Sequence, residues 1–202
     1  MPDGIFPPSS VPLKARGESL PRILGVDPGM GGTGFGIIEV TSTGALQYRE
    51  SGVILPRGSV VAHRIQKIFH DLIRVIDRFQ PERMAVERPF FGKNVKSAMI
   101  LGEARGAAIL AAAERGVIVQ EYSPLEVKQA VVGYGRAAKE QIQTMVGAIL
   151  RAPQPLKSHA ADALAVAVCL AHSLAWQLEV EKAGAVRTTR GNGRRHFCGG
   201  TP

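Results

Sequence analysis

The sequence of 202 residues predicts an α/β domain with a five-stranded mixed sheet and helices on both of its faces. Three observations predict this fold class. Three strand-like runs come first and follow one another closely, helical and strand-like segments then alternate, and the carboxyl-terminal part is helical. No uninterrupted apolar run reaches the roughly 18 residues of a membrane span, so we expect no membrane association.

The first three strands are expected to form a meander. Arg22–Asp27 is a short apolar run typical of a buried strand, and the Pro-Gly and Gly-Gly pairs after it impose a tight turn. Residues 33–40 and 46–55 follow as two further strands, joined by the hairpin signal Thr-Ser-Thr-Gly. The third run is the more polar one, as expected of an edge strand.

Helical spacing begins after residue 58. Apolar residues recur every three or four positions from Val61 to Phe79, which predicts an amphipathic helix that ends at Gln80-Pro81. Ser123-Pro124 predicts a helix start, because serine caps a helix and proline fits its first turn. The remaining elements are expected as strands at 84–87 and 117–121 and as helices at 95–114, 124–133, 138–150 and 158–181.

One domain is expected at residues 21–181, between two extensions. Residues 1–20 contain four prolines and no periodicity, which indicates a disordered amino-terminal extension. Residues 182–202 hold five basic residues and no acid, which indicates a disordered basic tail. The net charge of +8 favours a polyanionic partner, although the tail supplies most of it. Cys169 and Cys198 do not suggest a structural disulfide, so a reducing, cytoplasmic setting is expected.

Three acidic side chains stand where a strand or a helix meets a loop. Asp27 and Glu87 close two apolar strands, and Asp162 lies in the first turns of the last helix, three residues after His159. Carboxylates beside an apolar interior are costly unless something pairs with them, and Mg²⁺ and Mn²⁺ take oxygen ligands. These residues therefore predict a divalent-metal site. Two ions roughly 4 Å apart would form a site where a metal-activated water attacks a phosphodiester.

Each of these residues alone has a plainer explanation. Asp-Pro-Gly after a strand is often a simple turn, and Glu87 is able to pair with Arg83 or Arg88 on the surface. Asp162 and His159 also suit the exposed first turn of a helix. The joint arrangement favours the metal site, because ligands gather at the carboxyl ends of central strands in such sheets.

Several motifs resemble one protein family. They are Leu-Gly-Val-Asp-Pro-Gly at 24–29, Ala-Val-Glu at 85–87 and His-Ala-Ala-Asp-Ala-Leu-Ala at 159–165. These look like the RuvC family of bacterial Holliday-junction resolvases, which belongs to the ribonuclease H-like superfamily. The likeness covers about residues 22–175 and implies a ribonuclease H-like fold.

The resemblance also implies an activity and its partners. The enzyme would be a homodimer that nicks two opposed strands of a four-way DNA junction in recombination and repair, with RuvA and RuvB as branch-migration partners. The ligands of Mg²⁺ or Mn²⁺, two ions per site, would be Asp27, Glu87, His159 and Asp162. Some family members carry aspartate in place of His159. Because imidazole suits Mn²⁺ better than Mg²⁺, we expect Mn²⁺ to support cleavage at least as well. Whether His159 binds metal or positions the attacking water stays open.

Further residues are candidates for DNA binding by the same resemblance. Lys128 and Lys139 match family lysines that contact DNA, and Phe90 matches an aromatic that inserts at the junction centre. Phe91 and Lys93 lie close to Phe90 in sequence and are further candidates for DNA binding. An exposed pair of phenylalanines is expected to stack on unpaired bases, although one of the two would serve equally as a hydrophobic plug under the loop.

The alanine- and glycine-rich helix at 95–114 is a candidate subunit interface, since small residues permit close approach of a second helix. Packing against the protein's own sheet is the alternative, and one helix is able to do both.

Three other functions fit parts of the sequence. A phosphotransferase of the sugar kinase and actin type opens with a similar Asp-x-Gly turn and Thr-Gly hairpin, but it needs two such domains around its nucleotide. A non-catalytic junction-binding module would keep the fold without turnover. A less selective nuclease would act on other branched or RNA-containing substrates.

Overall fold

A computed structural model describes residues 21–88 and 95–190 of the chain. Five strands form one sheet in the order β3-β2-β1-β4-β5. The pairs β1–β2 and β2–β3 are antiparallel, whereas β1–β4 and β4–β5 are parallel, so the sheet is mixed as predicted. The strands are β1 Arg22–Asp27, β2 Thr33–Val40, β3 Leu46–Ile54, β4 Arg83–Glu87 and β5 Ile118–Tyr122.

Five helices cover the two faces of this sheet. They are α1 Val61–Phe79, α2 Val95–Glu114, α3 Pro124–Val132, α4 Lys139–Leu150 and α5 Ser158–Arg190. The alternation of side chains along β1 shows how the faces are divided: Ile23 packs with α3, α4 and α5, whereas Leu24 and Val26 pack with α1 and α2. The predicted fold class, with helices on both faces, is therefore confirmed.

Helix α3 begins, and helix α1 ends, at the residues that the sequence predicts. The Ser123 hydroxyl accepts from the Glu126 amide, the Glu126 carboxylate accepts from the Ser123 amide, and α3 ends at Gly133 with a φ of 86°. Helix α1 ends at Gln80, which has a φ of 49° and donates its amide hydrogen to the Ile76 carbonyl. Proline at position 81 then prevents continuation of the helix.

Helix α5 lies directly on β1 and β2. A Cβ atom at Gly25 would lie 1.9 Å from the Ala163 carbonyl oxygen, and one at Gly34 would lie 1.9 Å from the His159 carbonyl oxygen. Only glycine allows so close an approach, so these two positions fix the height of α5 above the sheet. Residues 158–180 are long and apolar enough to cross a membrane, but 56% of the tested stretch is buried in the fold, as in a core helix.

The last helix ends later than the sequence predicts. It runs to Arg190 rather than to about residue 181, since good helix formers such as Lys182, Ala183 and Ala185 flank Gly184. The expected tail at 182–202 thus begins inside this helix, whereas residues 191–202 and 1–20 lie outside the described part. The boundaries of the three predicted segments, 1–20, 21–181 and 182–202, stay a prediction.

A buried acid holds the far end of the sheet together. Glu39 on β2 has a side chain that is 3% exposed and accepts hydrogen bonds from Arg22 Nε at 2.7 Å and Arg49 Nε at 2.6 Å. Burial raises the pKa of Glu39, but the two guanidinium partners outweigh it and hold the pKa below its ordinary value. This ion-pair cluster joins three strands.

Candidate metal centre

Two residues far apart in sequence meet at the carboxyl end of β1. Asp27 is the last residue of β1 and, like Ile23 and Gly25, projects to the face covered by α5. His159 lies in the first turn of α5, and its Nδ1 is 2.8 Å from Asp27 Oδ2. Because a carboxylate only accepts, Nδ1 is the donor, which leaves Nε2 as the acceptor nitrogen of the ring.

Asp162 completes a cluster of three potential ligands. It lies one helical turn after His159, so both side chains are on the same face of α5. Ligand atoms of Asp27, His159 and Asp162 all lie within 4.8 Å of one another. The two carboxylates are half-buried and the imidazole is exposed, so the cluster is open to solvent on one side.

Glu87 lies beside this cluster rather than inside it. It follows Val86, the register partner of Val26, so Asp27 and Glu87 are the next residues on two neighbouring parallel strands. Glu87 and Asp162 line one cleft of about 250 Å³, together with two lysines. We call the four residues Asp27, Glu87, His159 and Asp162 the acidic centre.

Burial and neighbouring negative charge oppose the ionisation of Asp27 and Glu87. Burial raises the pKa of Asp27, the hydrogen bond from His159 lowers it, and the charge of Asp162 raises it again, so that the pKa lies above its ordinary value. The pKa of Glu87 is also raised, by burial first and then by the charges of Asp27 and Asp162. A cation among these oxygens would relieve both effects.

A divalent cation therefore fits the donor set. Carboxylate oxygens suit Mg²⁺ and Mn²⁺, and an imidazole nitrogen is tolerated better by Mn²⁺. The plainer explanations of Asp27 and Glu87 do not match the contacts of these residues. Asp27 does open a turn, but its carboxylate is bonded to His159. The surface partner suggested for Glu87, Arg88, instead lies 3.8 Å from Glu121.

Two of the three lysines predicted to bind DNA border the acidic centre. Lys139, the first residue of α4, places its Nζ 2.6 Å from Asp162 Oδ2, and this contact is the main cause of its raised pKa. Lys128 on α3 donates from Nζ to the Ala137 carbonyl at 3.0 Å, and both lysines line the cleft of Glu87. The sequence predicted Lys139 as a DNA contact but gave no sign of its pairing with Asp162.

The remaining predicted DNA contacts, Phe90, Phe91 and Lys93, belong to the segment 89–94 and lie outside the described residues. Sequence reasoning also missed Arg64, whose guanidinium donates to the Met30 carbonyl in the loop after Asp27. An arginine in the first turn of an amphipathic helix carries no pattern that would have singled it out.

Comparisons with known proteins point to one family. The family model described as crossover junction endodeoxyribonuclease RuvC matches residues 23–170. A protein of that name from Heliobacterium modesticaldum is 48% identical over 155 residues, which cover 76% of this chain and 96% of the relative. Another, from Moorella thermoacetica, is 49% identical over 166 residues, covering 80% and 98% of the two chains.

A solved structure shares the fold. T. thermophilus RuvC in complex with a Holliday junction substrate superposes with a TM-score of 0.71 at 35% sequence identity, and the match covers 80% of this chain and 97% of that one. The yeast mitochondrial Holliday junction resolvase Ydc2 matches with a TM-score of 0.58 at 13% identity, which supports the fold alone.

Proposed function

The chain belongs to the RuvC family of crossover junction endodeoxyribonucleases, and we propose that it resolves Holliday junctions by paired symmetric nicks made at the acidic centre. The observation that carries the proposal is the meeting of Asp27, His159 and Asp162 within 4.8 Å, at the sheet edge where Glu87 also ends its strand. Family membership leaves no support for the phosphotransferase alternative, because that reaction belongs to a different class of protein.

A nuclease of the RuvC type depends on divalent metal. We propose Mg²⁺ or Mn²⁺, two ions per site, held by the four residues of the acidic centre. Such ions would supply activation of water and charge neutralisation at the scissile phosphate. With Nδ1 of His159 engaged by Asp27, its Nε2 is the nitrogen left to bind a cation or to orient a water.

The lysines would hold the phosphodiester against the acidic centre. Lys139 has a side chain that is 55% exposed and already lies at Asp162, so its ammonium is within reach of a phosphate bound there. Lys128 lines the same cleft from α3. The positive charges of Lys128 and Lys139 on one side of the cleft would attract the anionic DNA backbone and hold it there. Contacts of this kind position the DNA and do not read its base sequence.

Symmetric nicks need two active sites at a fixed separation, so the proposal includes a homodimer. Helix α2 buries Ala104, Ala108 and Ala111 against its own core. Its other side exposes Met99 at 65% and Leu110 at 57%, and a Cβ atom at Gly102 or Gly106 would meet nothing within 4 Å. This helix therefore serves its own core with one side and offers an apolar, low-relief surface to a partner helix with the other.

The wider setting follows from the substrate. T. thermophilus RuvC is solved with a Holliday junction, and we carry that substrate over to this chain. RuvA and RuvB are proposed as partners on the resemblance alone, and the cytoplasm as the compartment where the junction forms. Cys169 is buried and its pKa is raised to about 12 by burial, which makes it unreactive.

Nicking of a synthetic four-way junction tests the proposal. Wild-type protein with Mn²⁺ should give two symmetric nicks whose 5′-phosphate and 3′-hydroxyl ends can be ligated, and Asp27→Asn should bind the junction without nicking it. Junction binding without nicking by both proteins would support a non-catalytic module instead. Equal cleavage of junctions, flaps and linear duplexes would support the less selective nuclease.

A further inference from the structure

The loop that follows Asp27 is rich in glycine. Residues 28–32 join β1 to β2 and read Pro-Gly-Met-Gly-Gly, so three of the five positions are glycine. Glycine loses more conformational freedom on folding than any other residue, so such a loop holds one shape only when other groups tie it down. Two potential metal ligands adjoin the loop. Asp27 directly precedes it, and Gly32 lies against the ring of His159, where a Cβ on Gly32 would be 3.3 Å from His159 Cδ2.

Two interactions that hold the loop come from the loop itself and from the first residue of β2. The buried Thr33 hydroxyl donates to the Gly29 carbonyl at 2.9 Å and accepts from the Gly29 amide at 3.2 Å. Met30 buries its side chain to 5% exposure in the core beneath α1 and α2. Neither interaction involves the Met30 carbonyl, and Gly31 is exposed with open space around it.

A third interaction that holds the loop comes from helix α1. Arg64, in the first turn of α1, donates from one terminal nitrogen to the Met30 carbonyl and from Nε to the Pro56 carbonyl at 3.0 Å. Among the residues that the structure describes, its guanidinium forms no ion pair. Its charge is therefore directed at two backbone carbonyls, one from the loop of Asp27 and one from the segment after β3. Hydrogen bonds from a charged donor are stronger than neutral ones.

We infer that Arg64 is a positioning residue for the acidic centre: it holds the loop 28–32 so that Asp27 and His159 keep their spacing. This inference rests on the proposed metal site and adds a residue whose guanidinium donates to backbone carbonyls rather than to a proposed metal ligand. A lysine would keep the charge but lacks the planar fork that serves two carbonyls at once, so it would replace Arg64 only in part.

Titration of the full-length protein with Mn²⁺ alone tests the inference. Groups that orient metal ligands typically contribute about 10-fold or more to affinity, so Arg64→Met should bind Mn²⁺ about 10-fold more weakly, with Arg64→Lys in between. The matched control is Arg74→Met on the same helix, because Arg74 is 79% exposed and its ion pair is with Asp71, away from the loop. Amide hydrogen exchange in residues 29–32 should rise in Arg64→Met and not in Arg74→Met.

The outcomes separate this inference from the proposed function. Wild-type Mn²⁺ affinity and loop exchange in Arg64→Met would overturn the role of Arg64, and so would an equal loss of affinity in Arg74→Met. If Arg64→Met does not fold, the same readouts on Arg64→Lys decide. Asp27→Asn in the same titration should lose more Mn²⁺ affinity than either Arg64 variant. If Asp27→Asn loses Mn²⁺ affinity and the Arg64 variants do not, only the positioning role is contradicted. If Asp27→Asn binds Mn²⁺ as the wild type does, the metal site itself is contradicted.

Discussion

His159 Nδ1 and Asp27 Oδ2 lie 2.8 Å apart although 132 positions separate the two residues in sequence. The contact joins the last residue of the central strand to the first turn of the central helix. It fixes the imidazole in one orientation and leaves Nε2 facing away from Asp27. The chemistry of the acidic centre therefore depends on how closely α5 sits on the sheet.

The imidazole in the acidic centre predicts a preference for Mn²⁺. In His159→Asp the donor set becomes all oxygen, so the ratio of junction nicking in Mn²⁺ to nicking in Mg²⁺ should fall relative to wild type. The measurement is a nicking time course over a concentration series of each metal. Identical metal profiles for the two proteins would remove the basis for this prediction.

Gly34 is expected to be intolerant of any side chain. A Cβ at this position would lie 1.9 Å from the His159 carbonyl oxygen, so Gly34→Ala must push the first turn of α5 away from Asp27. A displacement of about 1 Å commonly costs about 100-fold in rate, and we expect nicking by Gly34→Ala to fall by about that factor.

The control for Gly34 is Gly31→Ala in the preceding loop, where a Cβ would meet nothing within 4 Å. This variant should keep wild-type activity. Comparable activity of the two alanine variants would show that the close approach of α5 does not set the geometry of the acidic centre.

The exposed side of α2 is expected to hold the dimer together. A charge at Leu110, which is 57% exposed, would be buried without a partner in such an interface, so Leu110→Glu should weaken dimerisation by at least about 10-fold. Sedimentation velocity over a concentration series measures this. Met145→Glu on α4, at a position that is 41% exposed, is the control and should leave the dimer intact. A wild-type protein that is monomeric at working concentrations would contradict the proposal of coordinated nicks.

Glu39 is expected to make stability dependent on pH. Its pKa in the folded protein is lowered, so its contribution is complete above the pKa of the unfolded chain, about 4.3, and is lost as pH falls through the folded pKa. Glu39→Gln should lower the free energy of unfolding by about 2 kcal/mol at pH 7, because it weakens the hydrogen bonds from two guanidinium groups. Urea unfolding from pH 7 to pH 3 should show the gap between the two proteins closing below about pH 4. A gap that is constant over this range would refute the ionic role of Glu39.

The sequence predicted the acidic centre because its signals are local. Asp27 and Glu87 each end an apolar run, and parallel strands bring such ends to the same edge, so their proximity followed from the strand pattern. The 1.9 Å approach at Gly34 and the pairing of Lys139 with Asp162 were not predictable. Both depend on where α5 and α4 lie relative to the sheet, and that is set by packing rather than by any local pattern. The late end of α5 at Arg190 was missed because the chain beyond residue 181 is rich in glycine and arginine, and the helix continues through Gly184.

Anomalous diffraction from crystals soaked in Mn²⁺ tests the proposed metal site most directly. We expect an anomalous peak within bonding distance of Asp27 and Asp162 carboxylate oxygens, with Glu87 contributing an oxygen to a second peak roughly 4 Å away. The same soak of Asp27→Asn crystals should show neither peak at full strength. Mn²⁺ bound only at other surfaces of the wild-type protein, with the acidic centre held by Lys139 and His159 alone, would contradict a metal site at these residues.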